Sequence, residues 1–279
     1  MIHLFCALKS EAKPVIEKYQ LQHCPDAGLF TIYINEGQDL SLTVSGVGKL
    51  SMAGAVIYTA SFLGASGENG WLNFGIAGHQ DLEIGSTRLA NKISDEASGK
   101  TWFPQIVFNS VVSGAPLITV DKPVSVYPGS TMYDMEAAGF YNSVCRFATA
   151  ELAHSLKIVS DNELSPTEKI NNALVNRLIT DNLKAIDSVI FQLSGLSNEL
   201  KQSEKLEDVY QSFIVRWHFT QTEKIKLKQL LLRWQILLSN SSPLSGFSKQ
   251  SQTGKEILNH LQHILDTTPV TLEEQSHHV

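Results

Sequence analysis

The first two-thirds of the chain alternates short apolar runs with segments of helical spacing, and the last third is helical in pattern. Ile2–Leu8 has the length and character of a buried strand. In Glu11–Tyr19 the residues Ala12, Val15, Ile16 and Tyr19 fall on one side of a helix. Phe30–Asn35 and Leu40–Val44 read as two strands, with a turn at the intervening Glu-Gly-Gln-Asp. A glycine loop at Gly46–Lys49 leads into Ser51–Leu63, a helix of small residues suited to close packing on a sheet. Trp71–Ile76, Thr87–Ile93, Pro116–Val120 and Ser155–Val159 are further strands, and Met135–Ala148 is a helix. Strands alternating with helices predict an α/β fold with a largely buried sheet.

The texture changes at Ser165. Ser165-Pro166-Thr167-Glu168 carries a helix-start signal: a serine cap, proline at the first helical position and glutamate three residues after the serine. A helix from there to Leu193 is expected, with only helical patterns beyond Gly195. Thr220-Gln-Thr-Glu223 is a second capping box, followed by an apolar stripe at Leu227, Leu230, Leu231 and Trp234. The helical segment is expected to pack on the core or build a subunit interface through this stripe, with a lid over the functional site as the alternative. Ser239–Ser251, with Pro243 and Gly246, reads as a loop. Ile257, Leu258, Leu261 and Ile264 mark a last helix, and the tail from Thr267 reads as frayed.

Composition narrows the function. A hydrophobic fraction of 43% and a charged fraction of 18% fit a globular chain, and a net charge of −6 argues against holding nucleic acid by bulk electrostatics. Cys6, Cys24 and Cys145 form no C-x-x-C pair and read as buried free thiols. The first residues lack the charged-then-apolar layout of a signal peptide, and no stretch approaches the roughly 18–20 apolar residues of a membrane span. The expected location is the cytoplasm, with no membrane partner.

Several motifs fail on inspection. Gly46-Val-Gly48 lacks the third glycine of a dinucleotide fingerprint, and Gly48-Lys49 is followed by Leu50, so no phosphate-binding P-loop is present. The loop precedes a helix and can either aim N–H groups at an anion or simply make a tight turn. His260 and His263 are three apart, but two ligands do not make a metal site. Arg216-Trp-His218 with Lys224, Lys226 and Lys228 reads as a solvated basic face rather than a nucleic-acid contact. Glu11, Glu136 and Asp161 are individually ordinary. Their joint placement at strand-to-helix junctions makes them candidates, since ligands of α/β sheets gather at strand ends.

Five segments in order carry a resemblance. They are Ala7-Leu-Lys-Ser-Glu11-Ala-Lys, Val44-Ser-Gly-Val-Gly-Lys49, Asn73-Phe-Gly-Ile-Ala-Gly78 with Glu83-Ile-Gly85, Asp134-Met-Glu136-Ala-Ala-Gly139 and Lys157-Ile-Val-Ser-Asp161. Together they resemble the nucleoside phosphorylase/nucleosidase superfamily, in its branch with methylthioadenosine/S-adenosylhomocysteine nucleosidase and futalosine hydrolase. The resemblance implies a three-layer α/β/α sandwich around a twisted mixed sheet over residues 1–195. Residues 196–279 would be an α-helical extension, outside the resemblance.

The resemblance also implies roles. Asp161 would protonate the purine as it leaves, Met135 and Glu136 would hold the ribose, and Glu11 would position the attacking water. Gly46, Gly48, Asn73, Ile76 and Lys157 would form the nucleophile or anion side. No metal or cofactor is implied, and inorganic phosphate would be a co-substrate only of a phosphorylase. The expected partners are a small nucleoside and, by analogy, further copies of the chain. The chemistry agrees: an oxocarbenium-like transition state calls for an acid on the leaving group and a nucleophile on the opposite face. The acid must hold its proton near neutral pH, which calls for a partly buried site.

Three departures bear on the nucleophile and substrate: Ile76 stands for a serine, His79 for a small residue and Lys157 for an arginine. Lysine keeps the charge but not the two-pronged grip. Glu11 beside a phosphate dianion would repel it, whereas Lys9, Lys49 and Lys157 would attract it. The balance leans to hydrolysis, with phosphorolysis and non-catalytic nucleoside binding as alternatives.

Overall fold

The computed structural model describes residues 1–124, 126–238, 241–245, 247 and 253–268, the Glu168 side chain excepted. The strands are β1 (Ile2–Cys6), β2 (Gln22–His23), β3 (Thr31–Ile34), β4 (Leu40–Val44), β5 (Gly70–Gly78), β6 (Thr87–Asp95), β7 (Thr101–Trp102), β8 (Gly114–Thr119), β9 (Met132–Asp134) and β10 (Ala153–Asp161). The helices are α1 (Lys9–Tyr19), α2 (Lys49–Leu63), α3 (Ala137–Val144), α4 (Asn172–Asp181), α5 (Leu183–Arg216), α6 (Gln221–Leu237) and α7 (Gly254–Thr267). The chain divides into two compact units, Met1–Asn198 and Glu199–Val279, with the boundary inside α5.

All ten strands belong to the first unit and to one mixed sheet. Because β10 bonds to both β6 and β5, the strands β10, β6, β8, β9 and β5 close into a ring. From β5 the sheet continues outward through β1, β4, β3 and β2. Closure leaves the ring strands no bare edge. β1 lies between β4 and β5, β10 lies between β5 and β6, and both are buried over their whole length. The polar residues of β10 therefore need internal partners. Phe5, Met52, Val56, Trp71 and Phe140 form the centre of a fully buried cluster between the sheet and the helices α2 and α3.

Two local features set up the site. Pro14 lies inside α1 and has no N–H for the Ser10 carbonyl, which instead accepts from the Asn176 side chain of α4 at 3.4 Å. Gly139 lets α3 approach the start of α2: a Cβ there would lie 1.9 Å from the Lys49 carbonyl oxygen. That contact brings the glycine loop ahead of α2 close to the residues ahead of α3.

The structure corrects several sequence expectations. No helix starts at Ser165, which pairs with Asn162 in an isolated bridge. A 3-10 turn covers Thr167–Lys169, and the true helix start is Asn171, whose side chain accepts from the Leu174 N–H at 3.0 Å. Nor does a helix end near Gly195, since α5 runs through it. The local cost of about 1 kcal/mol for a helical glycine is offset by burial of Ile186, Val189 and Leu193 before it. The helix expected over Met135–Ala148 is shorter at both ends, and β9 ahead of it was not expected. Of the three thiols only Cys6 is buried; Cys24 is half-buried and Cys145 exposed.

The second unit has its own core. Leu227, Leu230, Leu231 and Trp234 of α6 pack with Tyr210 and Phe213 of α5 and with Ile257 and Leu261 of α7. The apolar stripe is thus covered within its own unit and leaves no bare interface of itself. The capping boxes at Thr220 and Thr253 fix the starts of α6 and α7. Trp217 is buried in this core and Lys228 pairs with Glu207 at 3.2 Å, so the basic–aromatic cluster does not form one surface. His260 packs edge-on against Phe247 at 5.0 Å. Gly246 with most of 239–251, and the tail beyond Thr268, lie outside the described residues. No helix among the described residues is long and apolar enough to cross a membrane.

Candidate active site

The parallel strands β1, β5 and β10 end side by side, and a cavity of about 140 Å³ opens at those ends. Its lining includes Glu11, Ile76, Asp134, Met135, Glu136 and Asp161. All three carboxylates singled out by sequence thus reach one place. No lysine or arginine among the described residues lines it.

Glu11 sits in the first turn of α1 and turns back over the helix start. Its Oε2 accepts from the N–H groups of Ala7 at 2.9 Å and Leu8 at 2.8 Å, and its Oε1 accepts from the Ile76 N–H at 3.1 Å. Gly75 makes room, since a Cβ there would meet the Glu11 carboxylate at 2.7 Å. Burial pushes the Glu11 pKa up, against the pull of these N–H donors and of Lys157. One carboxylate is therefore fixed rigidly at the junction of β1 and β5.

Glu136 precedes α3 and is 8% exposed. Its Oε1 accepts from the Gly48 N–H at 2.9 Å, so the glycine loop holds this side chain. Burial, reinforced by the charge of Asp134, pushes its pKa to about 7 from an ordinary 4.5, while Lys157 and the Gly48 N–H oppose the shift. An acid whose folded-state pKa is raised binds its proton more tightly in the folded chain. Its stabilising contribution is full below the unfolded value and fades as pH rises through the folded one. The wild type should therefore lose stability between pH 5 and 7, and Glu136→Gln should lose less, as read from urea midpoints across that range. An equal slope in both proteins would remove Glu136 as the titrating group.

Asp161 ends β10 just after a register shift between Val159 and Asp161. Such a bulge re-aims a side chain at a strand end. The carboxylate is 4% exposed and collects three hydroxyls. Ser160 donates to Oδ1, Tyr127 donates to Oδ2, and Thr167 donates to Oδ2 at 2.8 Å. Sequence reading found none of these three as partners. Ser160 belongs to the Lys157–Asp161 motif and Thr167 to the Ser165–Glu168 helix-start signal, but Tyr127 comes from the irregular stretch between β8 and β9, which has no periodic signal.

Four residues expected on the nucleophile side do not line the cavity. Asn73 is buried in β5, where it donates to the Phe5 carbonyl at 3.4 Å and accepts from Ser155 at 3.2 Å. Lys157 is 1% exposed and pairs with Asp134 Oδ2 at 2.8 Å. Gly46 spends its N–H on the Ala7 carbonyl at 3.1 Å, and Gly48 spends its own on Glu136. Lys49 is likewise engaged, with Asp95 at 2.7 Å and Asp121 at 2.8 Å. A cavity lined by carboxylates without a cation suits a neutral, hydroxyl-bearing ligand and a developing positive charge better than an anion.

No family model and no curated protein matches the chain. Solved structures do. Futalosine hydrolase of Helicobacter pylori strain 26695 is 15% identical, with a TM-score of 0.54 over 68% of this chain and 97% of that one. The 5'-methylthioadenosine/S-adenosylhomocysteine nucleosidase of Neisseria meningitidis, in complex with methylthio-immucillin-A, is 17% identical, with a TM-score of 0.53 over 66% and 98%. The Campylobacter jejuni nucleosidase of the same description is 15% identical, with a TM-score of 0.54 over 66% and 96%. At these identities the likeness is one of fold.

Proposed function

We propose that this chain, whose fold is similar to that of solved nucleosidases, cleaves the N-glycosidic bond of a purine-type nucleoside with water as the nucleophile. The carrying observation is the cavity itself: Glu11, Glu136 and Asp161 line it, with no lysine or arginine beside them among the described residues. In this reading Asp161 protonates the base as the bond stretches. Glu136, with Met135 beside it, holds the ribose hydroxyls and, once ionised, stabilises the positive charge that develops on the sugar. Glu11 positions the water on the opposite face. On the nucleophile side, where the resemblance has a serine, the Ile76 N–H orients Glu11.

Hydrolysis is favoured over phosphorolysis because a phosphate dianion would meet buried carboxylates and find Lys49 and Lys157 already paired. No cofactor takes part, and phosphate is not required. A homo-oligomer belongs to the same reading.

The test is to incubate the chain with methylthioadenosine, adenosine and inosine, with and without phosphate, and to follow free base. Release without phosphate is the expected result. Release that requires phosphate would transfer the chain to the phosphorylases, and no release from any nucleoside would leave a binding protein.

A further inference from the structure

We propose that Thr119 is a positioning residue for Glu136: it fixes the start of α3 so that the Glu136 carboxylate stays aimed into the cavity. This rests on the reading above, in which Glu136 holds the ribose. Thr119 is fully buried and does not line the cavity, so it acts through its neighbours and not by touching substrate.

The first N–H groups of a helix have no partner within it. A side-chain oxygen of the capping residue commonly accepts from one of them. In α3 the capping residue is Glu136, and its side chain makes no such bond. Its Oε1 accepts instead from the Gly48 N–H at 2.9 Å, and its Oε2 from the Met135 N–H at 3.3 Å. Two other residues do the capping. Asp134 Oδ2 accepts from the Ala137 N–H at 2.9 Å, and Thr119 Oγ1 accepts from the Ala138 N–H at 2.9 Å. The Glu136 carboxylate is thereby left for the cavity.

Register joins the two caps. Thr119 and Asp134 are partners at the ends of the parallel strands β8 and β9. The Thr119 hydroxyl donates to Asp134 Oδ1 at 2.7 Å, while Lys157 holds Oδ2 at 2.8 Å. One hydroxyl thus spends its proton on Asp134 and a lone pair on Ala138. Ala138 is the second residue of α3, where a capping side chain ordinarily finds its N–H. Without the hydroxyl that N–H is buried and unpaired, which is costly. Glu136 already stands in the capping position and is the residue placed to satisfy it. Its carboxylate then turns toward the helix, away from Gly48 and the ribose.

The test measures single-turnover base release, with enzyme in excess over whichever nucleoside the wild type cleaves. Thr119→Val keeps the shape, removes the hydroxyl and should slow release about 10–100-fold. Thr119→Ser keeps the hydroxyl and should stay within about threefold of wild type. In a Glu136→Ala chain, adding Thr119→Val should cost less than about threefold more, because the group it positions is already gone. An equal loss in both backgrounds would overturn the proposal and leave the nucleosidase reading standing, as would a folded valine variant with the wild-type rate. Thr119→Ala, which adds no bulk, replaces the valine variant if circular dichroism shows that chain unfolded. If neither folds, the hydroxyl serves stability alone and the proposal is overturned as well. If the wild type releases no base, the nucleosidase reading falls and the positioning role falls with it.

Discussion

Asp161→Asn is expected to lower the rate of base release by about 10²–10⁴-fold with the fold intact. Asparagine has nearly the same shape, and its carbonyl oxygen still accepts from the hydroxyls that surround position 161. What it lacks is a proton to give. The neutral base is a far better leaving group than its anion, so loss of the acid should fall on kcat, with KM changed little. The comparison needs kcat and KM for both proteins on one nucleoside, with circular dichroism and thermal melts to show the variant folded. A variant that keeps a rate within tenfold of wild type would remove Asp161 from the acid role and move the search to Glu136.

Lys157→Met is expected to be the most destabilising single change at the site, by about 3–5 kcal/mol at pH 7. Lys157 and Asp134 are 1% and 0% exposed at their side chains and meet at 2.8 Å. Burial alone would drive the lysine to give up its charge. The surrounding carboxylates, Asp134 first, outweigh that and hold its pKa above the usual lysine value. Removing the ammonium leaves Asp134 with the Thr119 hydroxyl at 2.7 Å and the Ala137 N–H at 2.9 Å, and with no counter-charge. Lys157 also draws down the pKa of both Glu11 and Glu136. Its loss should therefore raise them further, and the deficit should shrink as pH falls from 7 to 5 and the carboxyls take up protons. Urea midpoints at the two pH values measure this. Adding Asp134→Asn should recover part of the loss, because the stranded charge is then gone. A single variant as stable as wild type at pH 7 would mean that the pair is dispensable and the site's charge balance has been misread.

Much of the first unit was legible because burial on both faces writes itself into a strand as a continuous apolar run. β1 and β5 were found this way, and β4, β6 and β10 were found to within a few residues from runs that mix apolar and polar positions. Glu11 was legible only jointly, from its place with Glu136 and Asp161 at strand-to-helix junctions and from the resemblance. Short edge elements such as β2, β7 and β9 carry too few residues for any period to show. The ring closure, in which β10 pairs on both sides, depends on strand order, and a linear pattern does not encode it.

Asn73 and Lys157 stand away from the cavity for one reason. Asn73 and Lys157 stand in segments that match the family, but they precede the strand ends by several residues. Lys157 lies four residues before Asp161 on β10, about 13 Å at strand rise, and Asn73 lies five before Gly78 on β5. Both side chains are spent inside the sheet, on Asp134 in one case and on Phe5 and Ser155 in the other. Position in a motif gave the neighbourhood; only the register gave the role. The bulge before Asp161 is likewise a matter of pairing, and Tyr127 came from a stretch whose only signals were turn residues.

The central claim is that water attacks the sugar while Asp161 releases the base. Cleavage in water enriched in oxygen-18 tests it most directly, with the released sugar read by mass spectrometry. The account predicts one heavy oxygen at the anomeric carbon of the free sugar, with no phosphate in the reaction. An unlabelled sugar phosphate formed only when phosphate is present, or no sugar released from any nucleoside, would contradict it.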